Sequence, residues 1–184
     1  MSVTPAYFLS LSLSYLRAMI GDSAVWRAIV ESPNTDWDSL QTLIDAATSS
    51  QANALAKIKY GRLEDDSGHS DYVSRPRCEL RHWDANDAER ASTTGFASRG
   101  LVYVGFEIPI PDTYADSAQD AYLDAENKIG GIIENLASKE RVNGYLDISQ
   151  ITLTGFGQAD PDDNNGDLYY VSELAIHHMG SVLP

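Results

Sequence analysis

The sequence predicts an α+β fold: a mostly antiparallel sheet in β-β-α-β-β order, a long helix packed on one face, and further helices at the N-terminus. Three observations carry this expectation. In LVYVGFEIPIP, residues 101–111, apolar residues alternate so that Val102, Val104, Phe106, Ile108 and Ile110 share one face of a strand. Over 118–136 the period changes, and Ala118, Ala121, Tyr122, Ala125, Ile129, Ile132, Ile133 and Leu136 recur at helical spacing. After that helix, two strand-like runs flank the turn-forming stretch ADPDDNNGD.

Taken in order, the chain opens with Thr4-Pro5, an N-cap followed by proline at the first helical position. Phe8, Leu9, Leu13, Leu16 and Ile20 give the first helix its apolar stripe, and Gly21 is read as its end. Asp22 or Ser23 caps a second helix carrying Val25, Trp26, Ile29 and Val30, and Pro33 stops it. Asn34-Thr35 is read as the start of a third, through Leu40, Leu43, Ile44 and Ala47. LAKIKYGRLED fits a strand or a helix tail, with strand preferred, and EDDSGHSDYVSRP is a polar connection. RCELRHW is a strand, and DANDAERASTTGFASRG reads as a long polar loop before the strand at 101–111, which Pro109 and Pro111 terminate.

Asp116 or Ser117 caps the long helix. Gly130-Gly131 inside it signals a kink or the close approach of another backbone. A final hairpin, about 146–158 with 168–179, completes the unit. The whole is read as one domain over 1–184, with a helical part at 1–50 and the sheet-plus-helix core at 75–179.

Hydrophobic content of 43% and charge of 22% are those of a soluble globular chain. The formal net charge of −14 argues against a nucleic-acid grip, which needs clustered Lys and Arg. It is compatible with a pore wall past which DNA slides without sticking. The single cysteine, Cys78, rules out an intrachain disulfide and a CxxC site, and its strand context predicts a buried thiol. The N-terminus shows no basic stretch leading into an apolar one, and no run of about 18 apolar residues occurs. The expectation is a protein made and used in a cytoplasm, away from membranes.

The search for chemistry finds little. The spacing Asp160, Asp162, Asn164 imitates an EF-hand loop, but its sixth position is Asn165 and its twelfth is Val171, where Gly and Glu are needed. Strand-like flanks make the segment a turn. His177 and His178 are adjacent on a strand, a poor pair for one metal, and Cys78 and His82 stand four strand residues apart, too far for proton transfer. Asp65-Asp66, Asp162-Asp163 and Asp112/Asp116 sit among small polar residues, as solvated loops and caps do. No catalytic residue, metal ligand or cofactor site is assigned, and the chain is not read as an enzyme. Two features without a core role remain. Asp87, Glu89, Arg90, Phe96 and Arg99 in the 84–100 loop form a candidate docking element, and Asp160, Asp162, Asp163 and Asn165 form a candidate contact at the hairpin tip.

The order of these parts resembles the tail terminator (tail-completion) proteins of long-tailed bacteriophages. The likeness runs over about 75–179: a strand opened by Arg75-Pro76, a polar stretch, LVYVGFEIPIP, the helix DSAQDAYLDAENKIGGIIENL, and a closing hairpin whose second strand reads DLYYVSELAIHHM. SAVWRAIV, ALAKIKY and RPRCEL are similar to the N-terminal half of such proteins. The resemblance implies a self-assembling ring, typically a hexamer, that caps the tail tube and joins it to the neck of the head. Its partners would be other copies of itself, the tail tube protein and a neck or connector protein, with DNA passing through the lumen without specific binding. Its place would be the tail–neck region of the virion, after assembly in the host cytoplasm, with no cofactor and no reaction. This chain departs from a minimal member in its N-terminal helices and its 61–74 connection. Three other readings stand beside it: another head–tail joining protein, a small metal-dependent hydrolase built on the acids with His177 and His178, and a non-viral binding module.

Overall fold

A computed structural model describes residues 5–46, 50–61, 68, 70, 72–82, 87–90, 96–138, 146–158 and 169–182. Among these, four helices come first: α1 (Pro5–Asp22), α2 (Ala24–Glu31), α3 (Trp37–Asp45) and α4 (Gln51–Ala56). The strands β1 (Ile58–Tyr60), β2 (Arg77–His82), β3 (Asp87–Arg90) and β4 (Phe96–Pro109) follow, then the long helix α5 (Ala118–Ser138), β5 (Leu146–Gln158) and β6 (Tyr169–Val182). The fold is α+β, and the sheet is antiparallel except where β1 runs parallel to β2.

Strand β4 is the spine. Its whole length pairs with β6, from Phe96↔Val182 to Pro109↔Tyr169, and its other edge pairs with β2, from Arg77↔Glu107 to His82↔Val102. The sheet therefore runs β1-β2-β4-β6-β5. Because β6 occupies the opposite edge throughout, β3 shares the β2 edge of β4, with Asp87↔Arg99 and Arg90↔Phe96. At 87–90 and 96–100 this corrects the expectation of a polar loop over 84–100, whose other residues lie outside the described ones. Strand β6 continues along Phe96–Gly100, so an extended backbone there satisfies its N–H and C=O groups, and tertiary pairing overrides weak strand propensity.

The predicted alternation holds through Ile108, while Ile110 lies past the end of β4 and packs with Ala121, Ala125 and Tyr170. Val102, Val104, Phe106 and Ile108 are buried on one face, joined by Cys78 and Leu80 of β2 and Leu174 and Ile176 of β6. Helices α1, α2 and α5 close over that face with Leu16, Ile20, Trp26, Ile29, Ile129, Ile132 and Leu136. The Trp26 ring lies 5.3 Å from that of Phe106, and its Nε1–H donates to the Ala54 carbonyl at 3.2 Å, so the buried indole keeps its hydrogen bond.

Each cap has a local cause. Ser23, Asp36 and Ser50 accept from the backbone N–H three residues on. Ser117 does the same for Asp120 at the start of α5. The cap of α3 is thus Asp36 rather than Asn34-Thr35, and within LAKIKYGRLED the described residues, 55–61, hold the end of α4 and then β1. Gly21 is also reassigned. It lies within α1, where a Cβ would stand 2.5 Å from Leu55 Cδ2, so it permits α1 and α4 to touch rather than ending the helix. Gly131 of α5 has the same role, since its Cβ would sit 2.9 Å from the Trp37 ring. Gly130 faces open space, although a mid-helix glycine costs about 1 kcal/mol relative to alanine.

Candidate assembly surfaces

The face of the sheet away from the helices carries a polar lattice built in cross-strand rows. One row holds Arg77, Glu107, Val171 and Gly157; the next holds Glu79, Gly105, Glu173 and Gly155; a third holds Arg81, Tyr103, Ala175 and Thr152. Arg77 is only 1% exposed, and its guanidinium forks onto Glu107, Nε to Oε2 at 2.8 Å and Nη2 to Oε1 at 3.0 Å. Arg75 Nε reaches the same Oε2 at 2.7 Å, and its guanidinium lies 3.5 Å over the Tyr169 ring. Two cations thus share one carboxylate, the planar fork of arginine matching its geometry.

In the middle row two glycines make room. A Cβ at Gly105 would meet Glu79 Cγ at 2.9 Å and the Tyr103 ring at 3.0 Å, and one at Gly155 would meet Glu173 Oε2 at 2.9 Å. Tyr103 therefore lies across Gly105 and donates its hydroxyl to Glu173 Oε1 at 2.9 Å, with the Arg81 guanidinium 4.1 Å over its ring. Burial, then the Glu173 hydrogen bond and the nearby Glu79 charge, push the Tyr103 phenol well above its usual range. Sequence reading missed this lattice, whose signal was the second half of each alternation: Arg75, Arg77, Glu79 and Arg81, then Tyr103, Gly105 and Glu107.

The predicted docking residues are brought onto one ribbon. Asp87, Glu89 and Arg90 lie on β3 and Phe96 and Arg99 on β4, in a register that sets Asp87 opposite Arg99 and Arg90 opposite Phe96. Asp160, Asp162, Asp163 and Asn165 lie outside the described residues, and the strands they join pair as the predicted hairpin.

The two edges of the sheet differ. Strand β1 is three residues long with Tyr60 exposed, whereas β5 offers thirteen residues and pairs only with β6 among the described strands. Register shifts at Ile148/Gln150 and Leu153/Gly155 interrupt the β5 ladder, a device that blunts an open edge. Beside it, Leu153 and Tyr122 are exposed, and Tyr122 meets the Phe156 ring edge-on at 5.1 Å. Between α2, α3 and α5 lies a groove of about 670 Å³ floored by Val25, Trp37, Ile44 and Gly131.

Two buried reactive groups are locked in place. The Cys78 thiol is fully buried and pushed well up by desolvation and by Glu79, so it is not a nucleophile at neutral pH. Lys128 of α5 is buried 2.6 Å from Asp124 Oδ2, close but poorly directed for a hydrogen bond, and burial holds its ammonium below the usual lysine range. Asp124 in turn accepts from the Trp37 backbone N–H at 2.6 Å, pinning the start of α3 to α5. No cluster of three or more His, Cys, Asp or Glu suited to a metal occurs among the described residues. No described helix is long and apolar enough to cross a membrane. No protein-family model matches the chain, and no curated protein matches it.

Proposed function

We propose that this chain is a virion structural subunit, a tail terminator that closes into a ring on the tail tube and joins it to the neck. The observation that carries the reading is the pair of sheet edges. The β1 edge and the β5 edge lie on opposite sides of one sheet, and the β5 side exposes Leu153 and Tyr122 on and beside a strand that, among the described strands, pairs along one edge only. A head-to-tail contact between unlike edges generates a ring when its rotation closes. With the short β3 set aside, the element order β2-β4-α5-β5-β6 is that of the family the sequence resembles, and the net charge of −14 suits a lumen that DNA crosses without sticking.

The test is light scattering over a wide concentration range, with negative-stain images of the same fractions, alone and with tail-tube ends. The expected result is a closed ring with a central hole. Leu153→Lys with Tyr122→Lys is expected to shift the mass to the protomer's while leaving circular dichroism unchanged. A chain that stays monomeric both alone and on tube ends overturns the proposal.

A further inference from the structure

The groove between α3 and α5 has a chemistry of its own. Its floor is apolar, from Val25, Trp37, Ile44 and Gly131, while Asp45, Glu126 and Glu134 supply its charge. Among the described residues the lining includes no lysine, arginine or histidine, and its remaining polar groups are the amides of Gln41, Asn127 and Asn135. Gly130 opens onto it with nothing within 4 Å of where a Cβ would stand. Its neighbour Gly131 is accounted for by Trp37, but no contact among the described residues accounts for Gly130. A helix that gives up a side chain there lets another backbone come close to α5.

We propose that this groove is a docking site for a basic, amphipathic helical segment of another protein, its apolar face on Trp37 and Ile44 and its lysines or arginines on Asp45, Glu126 and Glu134. The walls are themselves helices, and the stretch from Glu126 to Asn135 spans about 13 Å at 1.5 Å per residue, room for two turns of a bound helix. A second copy of this chain is the poorer occupant, since a protomer of net charge −14 brings few cations to an acidic rim. The inference does not rest on ring formation.

The probe is a fluorescein-labelled 14-residue peptide with leucines at i and i+4 spacing and lysines flanking them, followed by anisotropy against the full chain at 50 mM salt. Its glutamate-for-lysine counterpart is the control. The expected result is binding of the lysine peptide alone, weakened at least tenfold by Gly130→Arg and by Glu126→Gln with Glu134→Gln. Asp112→Asn, an exposed acid away from the groove, is expected to leave binding within twofold. Gly130 is exposed on a helix, so the arginine variant folds, which circular dichroism checks. Equal weakening by all three variants, or none by any, means attraction by net charge only and overturns the proposal. Binding of the acidic peptide overturns it too, as does loss of self-association in Gly130→Arg, which assigns the groove to a second copy.

Discussion

On the helix side of β4, Val102, Val104, Phe106 and Ile108 belong to one apolar cluster with Trp26 and Ile129; on the other side, Tyr103, Gly105 and Glu107 alternate with them and meet Arg77, Glu79 and Glu173. Both sides are well buried, with Phe106 at 0% and Tyr103 at 5% exposed. The apolar side needs only volume and is tolerant of partner identity, because dispersion and the hydrophobic effect have little direction. The polar side needs named partners at fixed distances, because a buried charge without one is costly. The same strand thus carries a forgiving surface and an exacting one.

The largest expected effect comes from placing a charge in the forgiving surface. Phe106→Asp puts a carboxylate against Trp26 with no cation among the described residues of the apolar cluster, a change expected to exceed about 5 kcal/mol and to prevent folding. Circular dichroism and solubility check it. A soluble variant with a cooperative unfolding transition would show that this face tolerates charge, and the contrast between the faces would fail.

That apolar face was legible in the sequence because its signal is periodic and local. The alternation over 101–111 needs no partner to be recognised, and neither does the stripe of α5 or the paired runs that became β5 and β6. The caps of α2 and α5 were legible for the same reason to within one residue, as Asp22 or Ser23 and Asp116 or Ser117, and the serine serves in each. What was not legible depends on distant residues. Strand β3 and the start of β4 look like a loop until β6 is laid beside them. Gly21 looks like a helix stop until Leu55 is packed on it. Glu107 gives no hint from its neighbours that it will serve both Arg75 and Arg77 from some 30 residues away. The groove depends on α3 meeting α5, pinned by Asp124 and the Trp37 N–H across 87 residues.

The next effect in size breaks the exacting surface. Glu107→Ala removes the carboxylate fork from the buried Arg77 guanidinium and one ion-pair partner from Arg75, for an expected loss of about 3–5 kcal/mol. Urea unfolding measures it, with the slope unchanged if the effect lies in the native state. A loss below about 1 kcal/mol would place this pair with ordinary surface ion pairs, and the face would then be no more exacting than its neighbour.

The smallest effect separates the two faces by pH rather than by magnitude. Tyr103→Phe keeps the ring, the room over Gly105 and the contact with Arg81, and removes only the hydroxyl that donates to Glu173. At neutral pH the expected cost is about 1.5–3 kcal/mol, the net worth of a hydrogen bond to a charged group. The folded phenol titrates above its unfolded value of 10.0, raised first by burial and then by the Glu173 hydrogen bond. Its contribution is therefore fully present below pH 10 and is lost as pH climbs from there toward the folded value, because the unfolded chain gives up its proton first. Wild type should accordingly lose stability between pH 10 and 11.5 more steeply than Tyr103→Phe, and the two urea midpoints should draw together. Replacing Phe106 by leucine, on the other face, should lower the midpoint by the same amount at every pH in that window, since no proton is involved. If Tyr103→Phe and wild type instead keep a constant gap up to pH 11.5, the phenol ionises alike in both states, and the lattice does not hold its proton.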